Sequence, residues 1–381
     1  MMLTQQNLFK KEKLQIKAIQ NFQELELHID GWNQLAFDAP QQLPMSSYAW
    51  VSSYFEHYLS DDESWVCLFA YDKNDLVGVM PLVVKSRHLF GFDFALLGIR
   101  RSTQTCSIDV LAKQGEENTV IRAMIDAAIA LYPNQLGFIF DRLPENSPTI
   151  DVLENLSGFT LIKEFDSVGA FLKMAGNFAE YRASLSGNFR SNLNKASKKL
   201  HKLSNVKISF FNENQATAEC LTQLIEVEAK SWKKDAGTAI SDSPTDMKFF
   251  QNLTQRLSAA GFLEWQILEA EGKTIAINFA VRLKSSILIW KLSYDPSYSK
   301  CSPGSILLEE AVKLAYESED IDEINLMTDH SWYDSWKMEK RRYYNLKLYQ
   351  NKPIPFLLGY LTTSMRQKLR SYKHNLLNKS R

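Results

Sequence analysis

The stretch from about Leu263 to Tyr316 constrains the fold of this chain more than any other. Leu263 to Ala270 reads as a strand, Glu271-Gly272-Lys273 as a tight turn, and Thr274 to Leu283 as the strand coming back. A third strand, Ser286 to Tyr294, runs into a loop of small residues that ends in Ser302-Pro303-Gly304-Ser305. A helix follows, with Leu307, Leu308, Ala311, Val312 and Ala315 on one face. Ser302 suits the N-cap and Pro303 the first helical position, where a missing N–H costs nothing. Gly304 lets a ligand approach the backbone. A helix opened in this way presents free N–H groups and attracts phosphate, although the same residues also describe a well-capped structural helix.

The hairpin has a counterpart two hundred residues earlier. Trp65 to Val84 reads strand, Asp72-Lys73-Asn74-Asp75 turn, strand, and Val77-Gly78-Val79 stands where Ile275-Ala276-Ile277 stands later. Helical patterns precede both hairpins: Trp32 to Phe37 and Tyr48 to Tyr58 in the first half, Thr217 to Lys234 in the second. A helix from about Glu117 to Leu131 and a strand from Gln135 to Asp141 follow the first. Helices, an antiparallel meander, a crossover helix and further strands indicate a mixed α/β (α+β) fold. The reading is two similar domains, 15–165 and 166–352, each a mostly antiparallel sheet flanked by helices, joined near Phe165 to Ala179. A helical tail, 353–381, follows.

A chain of 381 residues suits two domains. Its 44 basic and 44 acidic residues cancel, so a polyanion has to be caught by a local patch, and DNA is not expected as a partner. Cys67, Cys106, Cys220 and Cys301 are scattered and fit neither a disulfide framework nor a zinc site. No metal cluster is expected. The polar N-terminus and the lack of a long apolar stretch read as a cytoplasmic protein, with a peripheral place at the inner membrane surface open to it.

Charge is uneven locally. Tyr181 to Phe211 holds Arg182, Arg190 and five lysines with no acid, while Phe189, Leu193, Ala196, Leu200 and Leu203 repeat at helical spacing. One face packs and the other is basic. That face is either solvated or binds phosphate, with Arg190 best placed because its fork grips phosphate bidentately. Glu228 lies on the apolar stripe of Leu221, Leu224, Ile225 and Trp232, where lost hydration raises a carboxyl pKa towards general-base work. The alternative is a boundary glutamate paired with a nearby lysine. The tail interleaves six basic residues, Arg366 to Arg381, with Leu357, Leu358, Leu361, Met365 and Leu369. Such a helix lies on an anionic membrane or packs on its own domain.

Tyr294-Asp295-Pro296 with Ser302-Pro303-Gly304, Asn188 to Leu193, and Glu228 with Trp232-Lys233 resemble the BioF2-like (CelD-like) branch of the GNAT acyltransferases. So do Trp32 to Leu35, Ser46 with Trp50, Cys106 to Leu111 and Arg142 to Ser147, all in family order. The resemblance covers about residues 30 to 350 and implies two tandem GNAT-like domains related to FemAB-type transferases. It implies acetyl-CoA, or another acyl-CoA, as co-substrate with no permanent cofactor, held by Ser302, Gly304, Ser305 and Tyr298. The loop departs from the usual GNAT form in having Gly304 alone. Tyr294 and Asp295 become candidates for acid–base work with Glu228, against the plainer reading that Tyr294 packs and Asp295 caps a turn. Arg190, Trp232, Lys233 and Lys337 become candidates for substrate binding. Asp329 and His330 stand where the family's turn has drifted, and either line the cleft or are incidental.

The activity implied is direct N- or O-acyl transfer to an amino sugar or another glycan- or lipid-linked precursor of envelope polysaccharide. Two rivals remain: an aminoacyltransferase drawing on charged tRNA, and a non-catalytic basic scaffold of a polysaccharide assembly complex.

Overall fold

A computed structural model describes residues 14–211 and 217–361, without the side chains of Thr217 and Trp232. The first half supplies β1 (Gln15–Ile19), β2 (Glu63–Asp72), β3 (Asp75–Leu89), β4 (Phe92–Ile99), β5 (Leu111–Ala112), β6 (Gln135–Pro144) and β7 (Phe159–Lys173). The second supplies β8 (Lys207–Phe211), β9 (Leu263–Ala270), β10 (Lys273–Leu283), β11 (Ser286–Tyr294), β12 (Glu323–Asn325) and β13 (Glu339–Gln350). All join one sheet in the order β1-β2-β3-β4-β6-β13-β7-β12-β11-β10-β9-β8, with β5 on β3. The fold is mixed α+β, mostly antiparallel, with helices on both faces.

Turn chemistry sets both hairpins. Glu271 and Gly272 take φ of 53° and 72°, the left-handed pair that matches the twist of flanking strands, and β9 and β10 pair from Lys273↔Ala270 to Val281↔Leu263. In the first half Lys73 turns at φ 56°, and β2 pairs β3 from Asp72↔Asp75 to Glu63↔Lys85. Each meander then crosses over through a helix to a parallel strand. Glu117–Leu131 carries β4 to β6, and Pro303–Glu317 carries β11 to β12.

The centre of the sheet is an exchange. β13, from the end of the chain, pairs with β6 on one side and β7 on the other, while β7 pairs onward with β12. Each half therefore borrows a strand from the other, and β7 carries the chain through residues 165 and 166.

One apolar core spans both halves, with Trp32, Trp50, Phe69 and Phe138 from the first and Phe249, Phe250, Trp265 and Phe279 from the second. The helix Tyr48–His57 meets Pro244–Ala259 there, and the Trp50 and Trp290 rings stand edge to face at 6.0 Å. Asp246 is the polar tie: Tyr58 donates to it at 2.5 Å and Gln104 at 2.7 Å. Opposite, Gly187–Leu200 and Pro303–Glu317 cover the second half with Leu193, Ala196, Leu200, Leu307, Leu308 and Val312.

The helix expected over Thr217 to Lys234 is two. Thr217–Glu228 stops, the chain turns, and Trp232–Asp235 restarts. Glu228 thus ends a helix rather than continuing the stripe to Trp232. Of the expected tail, Pro355–Leu361 forms a π-helical segment against the start of β6, and the remainder lies outside the described residues. Among the described residues no helix is long and apolar enough to cross a membrane.

Candidate functional site

β11 and β12 are parallel neighbours for three residues only, Ser286↔Glu323 to Leu288↔Asn325. Beyond Leu288 the two separate, and among the described residues no strand pairs with the edge of β11 that faces β12 as far as Tyr294. A β-bulge sharpens the departure: Ile289 pairs with Ala280 and Lys291 with Phe279, leaving Trp290 as the extra residue. Bulges free backbone groups and re-aim side chains, and are common beside active sites.

The open edge leads to the loop singled out in the sequence. Asp295 caps a 3-10 turn, Pro296–Cys301, accepting from the Ser297 amide at 3.0 Å and its hydroxyl at 2.6 Å. Burial opposes its ionisation, but the Ser297 bonds and the Lys230 ammonium, 3.4 Å away, hold its carboxyl below the usual range. Asp295 is therefore a charged turn-former.

Ser302 stands at the N-cap of Pro303–Glu317, with one correction. Its backbone is left-handed, φ 44°, and its side chain makes no cap bond. Its carbonyl instead takes the Ser305 and Ile306 amides at 3.0 and 3.1 Å. The first turn has no acid, and Lys300 precedes it. A Cβ on Gly304 would come within 3.3 Å of the Tyr294 ring. The half-exposed phenol of Tyr294 thus lies over the start of the helix, and the fold brings these two expected residues together. Tyr298 turns aside: its hydroxyl donates to Glu271 at 2.9 Å, and that bond is the main cause of its raised pKa.

Beneath the open strand lies a buried charge cluster. Glu228 is wholly buried, and both its oxygens are occupied, one by the Lys233 ammonium at 2.6 Å and the other by the Ile240 amide at 2.8 Å. The contacts are those of an ion-pair partner, the plainer of the two sequence readings. Lys233 spends its remaining protons on the Leu292 carbonyl at 3.3 Å and the Ser293 hydroxyl at 3.2 Å. It is thereby tied to the open strand. The side chain of Trp232 lies outside the described residues.

Sequence reasoning missed Lys291. Its ammonium sits 4.0 Å from Glu228 and over the Phe250 ring, and burial pushes its pKa down to about 8 despite the pull of Glu228. A lysine within an apolar strand is the only sequence signal it leaves. Arg142 entered the sequence analysis only as the start of a family-like run, with no role. Wholly within the first half by sequence, it is buried, lies over the Tyr343 ring, and donates to the Met327 carbonyl just after β12. It fixes the far wall of the opening.

The basic helix Gly187–Leu200 packs Leu193, Ala196 and Leu200 inward and leaves Lys195, Lys198 and Lys199 in water. Arg182 is tied to Glu309 at 2.7 Å, whereas the buried Nε of Arg190 has no partner among the described residues. Phe189 beside it meets Trp336 edge to face at 5.1 Å. Lys337 follows in a left-handed, exposed turn, and Asp329 pairs with Lys340.

Residues 187–338 match the family model described as the acetyltransferase (GNAT) domain. A domain of this type is an acyltransferase domain. No curated protein matches the chain. Among solved structures, FemX superposes with a TM-score of 0.59 at 10% identity, over 86% of this chain and 96% of FemX. A conserved protein of unknown function from Bacteroides thetaiotaomicron gives 0.53 at 12% identity, over 88% of this chain and 100% of its own. At such identities the likeness is one of fold.

Proposed function

We propose that the second half transfers an acyl group directly from a phosphate-bearing donor, acetyl-CoA first among them, to an amine or hydroxyl acceptor. One observation carries this reading: β11 leaves β12 and delivers Tyr294 onto an acid-free helix start at Gly304. The helix start holds the donor's phosphates. The opened edge of β11, freed by the bulge, offers backbone donors to the acyl carbonyl as charge develops there. Tyr294 gives the leaving group its proton, an effect of roughly 10²–10⁴-fold, and the proton that the acceptor loses as its new bond to the acyl carbon forms returns to the phenolate through water. Lys233 and Lys291, held by Glu228, keep the strand's far side positive. The acceptor class, an amino sugar or another envelope-polysaccharide precursor, follows from the sequence resemblance.

Calorimetry with acetyl-CoA tests the donor. The parent chain should bind and Gly304→Val should not, since the added side chain meets Tyr294 and the bound phosphate, while both proteins melt alike. Equal affinity would remove the loop from the site. A second reading, transfer from charged tRNA, is favoured by the unpartnered Nε of Arg190 on a helix rich in bases. Trapping the acylated product and identifying its donor by mass spectrometry separates the two. A parent chain that transfers nothing from either donor leaves the scaffold reading.

A further inference from the structure

One aromatic side chain of the second half stands where packing does not account for it. Trp332 is 43% exposed, although folded chains cover most of their tryptophan surface. It belongs to the 3-10 segment Ser331–Trp336, whose other two aromatics, Tyr333 and Trp336, are buried. The indole leans on the Tyr333 ring with centroids 4.1 Å apart, and His330 meets that same ring edge to face at 5.5 Å. Trp332 is thus braced from within, and among the described residues no lysine or arginine stacks on it.

Topology sets this segment beside the opening. β11 and β12 are parallel, so the crevice where they part lies at their carboxyl ends, the place where open sheets bind ligands. β11 leads to Tyr294 and the helix start at Gly304. β12 leads, through a left-handed turn at Met327, to Trp332, before β13 joins β7 at Glu339↔Phe171. The helix Gly187–Leu200 spans the two sides. Its Phe189 meets Trp336, and the helix packs against the turn Pro296–Cys301.

Charge around the ring is balanced. Asp329 and Asp334 share Lys340, the second at 3.3 Å, and Glu339 pairs with Lys173 at 3.5 Å. Lys337 and His330 are exposed, and Asp334 keeps 70% of its side chain in water. A nucleic acid stacking here would bring phosphates that need an excess of cations, and none exists at this ring. An acyl chain would offer the carboxylates no donor. A pyranose matches both features: its C–H face suits the electron-rich indole, and its hydroxyls donate to carboxylates. An ammonium on the sugar adds attraction to the ring, strongest for tryptophan.

We propose that Trp332 is the platform for the sugar ring of the acceptor, an amino sugar whose hydroxyls and ammonium reach Asp334. The ring's role as acceptor rests on the acyl-transfer reading, whereas its binding to Trp332 needs no donor and is measured without one.

The test is saturation-transfer NMR on the full chain with glucosamine, glucose and adenosine as probes. The parent should saturate the ring protons of glucosamine, and those of glucose more weakly, and adenosine should displace neither. Trp332→Ala should weaken glucosamine binding about tenfold with an unchanged melting temperature, as removal of a cation–ring contact predicts. Trp332→Leu keeps an apolar cover on Tyr333 and should lose as much, while Trp332→Tyr should retain part. Asp334→Asn should weaken glucosamine more than glucose, which carries no ammonium. A parent that binds neither sugar overturns the proposal, as does parent-like binding by Trp332→Leu. Preference for adenosine would make Trp332 a base-stacking residue and overturn it as well. Acetyl-CoA affinity, read separately by calorimetry, should be the same in Trp332→Ala and the parent. A chain that binds glucosamine through Trp332 but no acetyl-CoA would refute the donor and leave the sugar platform standing.

Discussion

The two halves repeat the same order of elements, yet only one of them is open. In the first, β4 and β6 stay paired from Ala95 to Ile99, up to the end of β4. The loop after β4 folds back along β6. There Ser107 donates to the Arg142 carbonyl, and Asp109, wholly buried, accepts from Gln41, Thr149 and the Val110 amide. Its crossover helix begins with Glu116 and Glu117, which repel an anion from that N-terminus. In the second half the parallel pair parts after three residues and the helix starts without an acid. The first half is thus closed where the second is open, and it stands as a brace. Arg142, reaching from that brace to Met327, shows how it supports the cleft.

The largest effect should come from separating the halves. Residues 14–165 alone lose β13 from the edge of β6, and the remainder loses β6 and β7 residues 159–165 from the two sides of β13. Neither piece should give a cooperatively melting monomer by circular dichroism and size exclusion. Two independently folded fragments would break the idea that the brace is structural.

Next is the buried cluster, which the first half lacks. Glu228→Gln leaves Lys233 and Lys291 without their counter-charge and should cost about 3–5 kcal/mol in urea unfolding. A stable variant that loses only the acidic limb of its pH–rate profile would restore Glu228 as the base. Lys291 adds a pH signature. Its folded pKa of about 8 lies below the unfolded value, so the folded state binds fewer protons between the two. The penalty of burying it is full below pH 8 and fades as pH rises towards about 10.4. Lys291→Met should therefore be more stable than the parent by about 2–3 kcal/mol below pH 8, with the gap closing by pH 10. A gap independent of pH would mean the ammonium is not desolvated.

Transplanting the acidic start of the first crossover helix into the second sharpens the comparison directly. Ser305→Glu should leave stability unchanged or raise it by about 0.3–1 kcal/mol through the helix dipole. Donor affinity in calorimetry should nonetheless fall at least about tenfold. Retained affinity would show that the absence of acid there is incidental.

The smallest effects distinguish a site from a charged face. Arg190→Ala should raise an apparent KM about ten- to a hundredfold, as expected for a charge-assisted phosphate contact. Lys198→Ala with Lys199→Ala, both in water two turns on, should change it little. Equal losses would make the helix a bulk-charge surface.

The second meander was legible because its signals are local. Glu271-Gly272 demands a primed turn, alternation marks the flanking strands, and Pro303 with the Leu307 to Ala315 face announces a helix. The site was legible only in part. Gly304 and Tyr294 lie close in sequence, and a strand followed by a tight loop brings them together. Glu228 was harder: its stripe predicted burial correctly, but a turn at Ala229 to Ser231 folds Lys233 back onto it, which periodicity does not register.

By itself, then, the sequence determined what ten or fifteen consecutive residues decide: hairpins, crossover helices, the acid-free helix start and the basic face of Gly187–Leu200. Only the tertiary structure decided that β13 crosses to β6, that β11 parts from β12, that Arg142 holds Met327, and that Trp332 stands exposed beside the opening. The reason is physical. Backbone dihedrals and side-chain periodicity act between near neighbours and leave their mark on local composition. Strand partners far apart in the chain are selected by shape and burial, which many sequences satisfy equally well.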